Sequence, residues 1–162
     1  MSVADFEIIN LKSGIIPQAS ELWHSGWHDA HAAILPDDLT SQRTLDSFAE
    51  RLHKYADMTR VAVQDGVVLG LCIILRDEIN QMYVSPQGRG TGLAAALLRD
   101  GEQKILANGH ATGWLACAIG NRRAARFYEK CDWVNTRTKV LRFETQTGDY
   151  PLEIWRFEKH LN

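Results

Sequence analysis

Three glycines crowd the stretch Ser85-Pro86-Gln87-Gly88-Arg89-Gly90-Thr91-Gly92, between strand-forming and helix-forming residues. Glycine lets the backbone come close to a ligand, and the first N–H groups of a helix have no partner inside it. With the helix dipole added, such amides make an anion site, most often for a phosphate or pyrophosphate. Arg89 adds a positive charge at its mouth. A ligand-free glycine turn is the plain alternative, but glycines at this density weaken both flanking elements unless something uses the exposed amides. A Walker loop needs Gly-Lys-Ser/Thr, and here Leu93 and Ala94 follow Gly92. Gly90-x-Gly92-x-x-Ala95 meets the loose dinucleotide pattern, yet His110 to Gly120 holds no Asp or Glu for the ribose. The preceding strand carries Glu78, Asn80 and Gln81, which suits a wet cleft better than a dry dinucleotide strand.

Such a loop needs a strand before it and a helix after it. A strand is predicted at about Glu78–Val84. A helix is predicted from the loop to Asn108, with Leu93, Leu97, Gly101 and Ile105 on one face. Upstream, Phe6–Ile9 reads as a strand. Ala19, Leu22, Trp23, Trp27, Ala30 and Ile34 have helical spacing, which Leu35-Pro36-Asp37-Asp38 stops. Leu45, Phe48, Ala49, Leu52 and Ala56 mark a second amphipathic helix. Arg60–Gln64 and Val67–Leu75 read as strands joined by the hairpin turn Asp65-Gly66. Downstream, Trp114–Ile119 is apolar almost throughout and reads as a central strand covered on both faces. Asn121–Lys130 is a short helix. Strands around Trp133–Phe143 and Leu152–Phe157 follow, separated by the polar turn Thr145–Asp149. The strands near 78–84 and 114–119, joined through a helix, are expected to be parallel. The expected fold is α/β: a mixed, mostly antiparallel sheet with a central parallel strand pair, flanked by helices.

The chain of 162 residues is expected to form one domain over 1–162. Hydrophobic residues at 45% and charged residues at 23% exclude disorder, collagen-like repeats and coiled coil as whole-chain readings. A net charge of −2 makes no electrostatic case for a nucleic-acid or membrane partner. No segment approaches the roughly 20 apolar residues that span a bilayer. Met1–Leu11, with Asp5 and Glu7, reads as neither a signal nor a transit peptide. Cys72, Cys117 and Cys131 are odd in number and lack CxxC spacing, so they are expected to be reduced, buried thiols of a cytoplasmic protein.

Val84-x-Pro86-x-x-Arg89-Gly90-x-Gly92-x-Ala94 resembles the acyl-CoA pyrophosphate loop of the GNAT superfamily of N-acyltransferases, whose Arg/Gln-x-x-Gly-x-Gly/Ala pattern is met by Arg89-x-x-Gly92-x-Ala94. Asn121-x-x-Ala124-x-x-Phe127-Tyr128-Glu129-Lys130 resembles the helix after that family's fifth strand. The matched block covers about 76–133. One departure stands in Cys131-Asp132-Trp133, where the family usually has glycine at the Asp132 position. Asp tolerates positive φ better than most residues.

The resemblance implies an N-acetyltransferase that moves an acetyl group from acetyl-CoA to a primary amine by direct attack in a ternary complex. It implies that the backbone of Met82, Tyr83 and Val84 pairs with the pantetheine arm. It implies that Arg89, Gly90, Thr91, Gly92, Leu93 and Ala94 hold the pyrophosphate, and that Asn121 and Ala124 hold the cofactor arm. Glu78 is implied as the general base, with Asp77 a weaker candidate. Tyr128 is implied to face the thioester sulfur as the acid. The acceptor would be a small molecule, an amino acid or a protein N-terminus, the assembly a monomer or homodimer. No metal is expected. The other functional class is a GNAT-like module that binds acyl-CoA as a sensor without turning it over.

His24, His28 and His31 share one helix face, read as solvated or lining the acceptor pocket rather than binding metal, since the rise from His24 to His31 is about 10 Å. Trp23 and Trp27 are expected in the core. Arg122, Arg123 and Arg126 are read as a solvated face, with contact to the adenosine 3′-phosphate as the alternative.

Overall fold

The computed structural model describes residues 5–162, so the start of the Met1–Leu11 stretch lies outside the described residues. A seven-stranded sheet runs in the order β1-β2-β3-β4-β5-β7-β6. The strands are β1 (Glu7–Asn10), β2 (Thr59–Gln64), β3 (Val67–Leu75), β4 (Glu78–Val84), β5 (Thr112–Ala118), β6 (Val134–Thr145) and β7 (Gly148–His160). β4 and β5 pair in parallel, and the other neighbours are antiparallel. Helices α1 (Ile16–His31), α2 (Asp37–Gln42) and α3 (Leu45–Lys54) pack on one face, and α4 (Leu93–Ala107) and α5 (Arg122–Lys130) on the other.

Period-two alternation sorts the strand side chains between two layers. Along β3, Leu71 and Ile73 join Trp23, Trp27, Phe48 and Leu52 of α1 and α3. Cys72 and Ile74 point the other way and join Leu97, Leu98 and Ile105 of α4 with Leu115 and Phe157. Each fully buried Leu, Ile or Phe contributes about 1.5–3 kcal/mol, so these clusters carry most of the stability. Cys72 and Cys117 are buried, Cys131 is half-buried, and all three are free.

Polar ties fix α4 against the sheet. Arg60 donates from Nε and Nη2 to both oxygens of Asp100 at 2.9 and 3.0 Å, a bidentate pair from β2. The buried Glu102 carboxylate accepts from Trp133 Nε1 at 3.1 Å and Lys159 Nζ at 3.0 Å.

Asp65 and Gly66 both take positive φ (52° and 78°), as a two-residue hairpin turn requires. Asp132 also has positive φ, 70°, and closes α5: Trp133 N–H donates to Tyr128 O at 3.0 Å. Other expectations change. The first helix ends at His31 rather than Ile34, and Pro36 begins a new one: Asp37 and Asp38 lie in the first turn of α2, where the helix dipole favours acids. β6 and β7 are longer than expected and enclose only Gln146 and Thr147, because polar residues taken for a turn pair across the hairpin instead. β5 is central, yet Trp114 and Ala116 are only half-buried, since their face opens onto a cleft. No helix among the described residues is long and apolar enough to cross a membrane.

Candidate active site between two parting strands

β4 and β5 share one register pair, Glu78 opposite Trp114. Beyond it the strands part. A bulge in β4 adds to the opening: Ile73 faces Gln81 but Ile74 faces Ile79, which leaves Asn80 as the extra residue. The bulge turns Asn80 and Gln81 together into the cleft on the α1–α3 side. Strand parity sets the rest. Ser85 N–H donates to Leu69 O at 2.9 Å, so Tyr83 aims its main-chain groups at β3, and Met82 and Val84 aim theirs into the gap.

Three adjoining cavities cross the gap. A cleft of about 350 Å³ lies on the α1–α3 side and is lined by Glu78, Asn80, Gln81 and Tyr83 of β4 together with Trp114 of β5. A groove of about 340 Å³ lies at the other end of the gap, between Gly26 and Ala30 of α1 and the residues of the glycine loop and α5. β4 contributes Met82, Tyr83 and Val84 to this groove, the glycine loop contributes Arg89 and Gly90, α4 contributes Ala94, and α5 contributes Ala124 and Tyr128 together with its N-cap, Asn121. A small cavity of about 70 Å³ joins them. It shares Asn80 and Gln81 with the cleft, and Met82 and Tyr128 with the groove.

The glycines of the loop divide their work. Gly88 is buried, its N–H donates to Ser85 O at 3.0 Å, and a Cβ there would stand 2.9 Å from Val84 Cγ1. Gly88 therefore serves packing, and its amide is not free, contrary to the reading of three ligand-facing glycines. Gly90 has φ 73° and open space where a Cβ would lie. Gly92, with φ 85°, is the N-cap of α4. Thr91 Oγ1 donates to Gly88 O at 2.6 Å and accepts from Leu93 N at 3.4 Å. The Leu93 side chain is buried beside Ala62 and Leu69, so only its backbone lies at the loop. The N–H groups of Gly90, Gly92, Ala94 and Ala95 find no acceptor among the described residues.

Glu78 is half-buried beside Asn80, whose Nδ2 donates to it at 3.2 Å. Burial pushes its carboxyl above the ordinary range, and the Asn80 hydrogen bond opposes that only in part. Asp77 is engaged with Trp114 Nε1 at 3.1 Å. Tyr128 packs between Phe127 and Phe157 at ring-centroid distances of 5.4 and 5.8 Å. Burial raises its phenol well above 10. Asn121 caps α5, its Oδ1 accepting from Ala124 N at 3.4 Å.

The three histidines do not form a solvated row. His28 Nε2 donates to Arg43 O at 2.7 Å. His31 is buried and its Nδ1 donates to Trp27 O at 2.9 Å, which leaves Nε2 as an acceptor at the junction of the cavities. Burial holds its pKa down to about 4. Among the described residues no three His, Cys, Asp or Glu side chains gather as a metal site. Trp23 and Trp27 are buried as expected. Arg122, Arg123 and Arg126 are exposed, and Arg123 borders the groove.

Several contributors carry no motif. Gly26 sits mid-helix in α1, where a Cβ would come within 2.8 Å of Tyr83 Cδ1, so it sets how closely α1 approaches β4. An isolated glycine in a helical pattern was its only signal. Arg43 and Arg51 line the cleft, and Arg51 stands three residues after Phe48 on the apolar side of α3. Asp29 of α1 reaches Arg123 at 3.1 Å and Arg89 at 3.5 Å on the rim of the groove.

Residues 20–133 match the family described as the acetyltransferase (GNAT) family. An uncharacterised N-acetyltransferase of Mycobacterium tuberculosis is 29% identical over 123 residues, 68% of this chain and 76% of that protein. Among solved structures, a GCN5-related N-acetyltransferase of Rhodopseudomonas palustris aligns over 99% of both chains with TM-score 0.77 and 17% identity. YncA of Salmonella typhimurium, solved with its cofactor acetyl-CoA, aligns over 98% of this chain and 95% of its own with TM-score 0.69 and 16% identity. With its mixed sheet, its parting parallel strands and a family match that spans both motifs, the chain belongs to the acetyltransferase (GNAT) family.

Proposed function

We propose that the protein transfers an acetyl group from acetyl-CoA to a primary amine, the two substrates meeting through the gap between β4 and β5. The continuity of cleft, junction and groove carries this reading, because it gives donor and acceptor separate entrances to one point. The pantetheine arm would pair with the gap-facing backbone of Met82 and Val84 like an added strand. The free amides of Gly90, Gly92, Ala94 and Ala95, with Arg89, suit the pyrophosphate. Asn121 and Ala124 flank the arm. Thr91 shapes the loop through its hydroxyl bonds to Gly88 and Leu93, and Leu93 anchors it through its buried side chain.

The amine nitrogen attacks the thioester carbon while the Met82 N–H polarises the carbonyl oxygen. Glu78, directly or through water, takes the proton the amine loses. Its raised pKa makes it a stronger base than a solvated carboxylate. The C–S bond then breaks and the thiolate leaves. Thiols ordinarily titrate near 8.5, below a phenol raised above 10, so Tyr128 keeps its proton and stabilises the departing thiolate as a hydrogen-bond donor, and the thiolate takes its proton from solvent as it leaves. The reaction needs no covalent enzyme intermediate. The protein is read as acting in the cytoplasm, as a monomer or homodimer, on a small or peptide amine.

The test is acetyl-CoA-dependent thiol release across an amine panel, with Tyr128→Phe alongside. The expected result is turnover that Tyr128→Phe lowers about 10–100-fold while acetyl-CoA affinity stays within twofold. Tight binding of acetyl-CoA without turnover of any amine would favour the sensor reading. A thermal shift with NAD and none with acetyl-CoA would overturn both.

A further inference from the structure

We propose that the acceptor is an amine that also carries an oxyanion, a carboxylate above all, which Arg43 and Arg51 hold in the cleft. The inference rests on the acetyl transfer proposed above and names the class of its acceptor.

Arg43 is only 4% exposed. Its Nη1 donates to the main-chain carbonyl of Glu144 at 2.9 Å, and its Nε is buried without a partner. His28 donates to the Arg43 carbonyl and so fixes the residue from α1. The Arg51 guanidinium lies over the Trp23 ring, 4.4 Å from its centroid, and its Nη1 is likewise buried without a partner. Both arginines line the cleft. Burial pushes the Arg51 guanidinium down to about 10, and the neighbouring Arg43 charge adds to the effect. No carboxylate among the described residues forms an ion pair with either. Glu144, whose charge reaches both, is engaged elsewhere: it takes Lys54 Nζ at 2.9 and 3.2 Å and the Tyr55 hydroxyl at 3.4 Å.

A guanidinium has five donors and keeps its proton at neutral pH. With Arg43 buried and Arg51 half-buried, the two charges repel each other and leave buried donors unmet, an arrangement that is costly until an anion enters. The cleft is also divided in charge. Arg43 and Arg51 act on Tyr83, at the far end of β4, with no acid among the described residues paired to them, whereas the arginines near its start, Arg76 and Arg156, stand with the acids Glu78 and Asp77. An amine tethered to an oxyanion answers this division, with the oxyanion at the arginines and the amine toward the junction where Gln81 and Met82 stand. A polyamine would set a second cation against the arginines, and a plain monoamine would leave them unmet. Carboxylate, phosphate and sulfonate share this chemistry, and matched substrates tell them apart.

The wild-type protein is first titrated with acetyl-CoA by calorimetry. Thiol release is then measured with α-amino acids against their α-amides, O-phosphoethanolamine and taurine against ethanolamine, and spermidine. The expected result is at least one oxyanion-bearing amine favoured about 100-fold in kcat/KM over its neutral counterpart. Arg43→Gln and Arg51→Gln should each raise its KM at least about tenfold without changing acetyl-CoA affinity. Where a glutamine variant does not fold, Arg51→Lys keeps the charge, loses the planar fork and should raise KM several-fold. A best substrate from the phosphate or sulfonate arm supports the oxyanion and replaces the carboxylate. Neutral amines or spermidine favoured throughout, or no turnover of any oxyanion amine, overturns the inference. If acetyl-CoA binds and only neutral amines react, the acceptor class alone is wrong. If acetyl-CoA does not bind, the transferase reading falls and this inference with it.

Discussion

Glu78 stands opposite Trp114 in the one register pair that joins β4 to β5, and Trp114 N–H donates to Asp77 O at 3.0 Å beside it. That pair is the hinge point of the gap. Glu78 is thereby held at the closed end of the cleft, on backbone rather than on a mobile loop. The proposed base is positioned by the same contact that ends the pairing.

Replacing Glu78 tests this assignment through pH. A base must be unprotonated to act, so a carboxyl raised by burial moves the acid limb of kcat/KM to higher pH than an ordinary Glu gives. Glu78→Gln should remove that limb and lower the rate about 10²-fold or more, with acetyl-CoA affinity within twofold. A pH profile unchanged by the substitution would remove Glu78 from the mechanism.

Gly88 and Gly90 should separate stability from binding. Gly88→Ala forces a methyl to 2.9 Å from Val84 Cγ1 and should destabilise the fold by about 1–3 kcal/mol. Gly90→Ala meets nothing in the protein and costs about 1–2 kcal/mol for its positive φ, but its methyl enters the groove. Thermal melts and calorimetry on both variants should show roughly tenfold weaker acetyl-CoA binding in Gly90→Ala.

His31 ties stability to pH. Its folded pKa of about 4 lies below the ordinary 6.5, since burial and the charges of His28 and Arg43 disfavour protonation, with the Tyr83 ring edge-on at 6.4 Å. The unfolded chain therefore binds a proton first as pH falls. The stability from neutral His31 is full above 6.5 and is lost between 6.5 and about 4, on the order of 3 kcal/mol. His31→Asn, which keeps a donor for Trp27 O, should flatten that part of a urea-denaturation profile against pH.

Asp29 competes with any anion for the groove's rim. It holds Arg123 at 3.1 Å and Arg89 at 3.5 Å, an exposed pairing that salt screens. Asp29→Asn should free both guanidiniums and tighten acetyl-CoA binding by about two- to fivefold at low salt, with the gain shrinking as salt rises.

The parts of the fold that were legible in sequence are those fixed by local rules. Asp65-Gly66 announces its hairpin, and the apolar periods of β3 and α4 match the layers they join. The glycine loop was legible as a link from strand to helix, but the packing role of Gly88 depends on Val84, which only the folded chain brings against it. Arg43 and Arg51 were illegible for a similar reason: burial of a charge is a tertiary fact, and α2, which positions Arg43, is a short helix restarted by Pro36. β6 shows an almost wholly exposed run from Val134 to Val140, so no apolar alternation marked its length.

The proposed acetyl transfer requires the gap beyond Glu78 and Trp114 to receive the acyl thioester. The most direct measurement is a crystal structure with bound acetyl-CoA. The expected result places the pantetheine arm against Met82 and Val84, the pyrophosphate on the amides of Gly90 to Ala95, and the thioester sulfur beside the Tyr128 hydroxyl. Acetyl-CoA bound elsewhere, with β4 and β5 still parted and empty between Met82 and Tyr128, would contradict it.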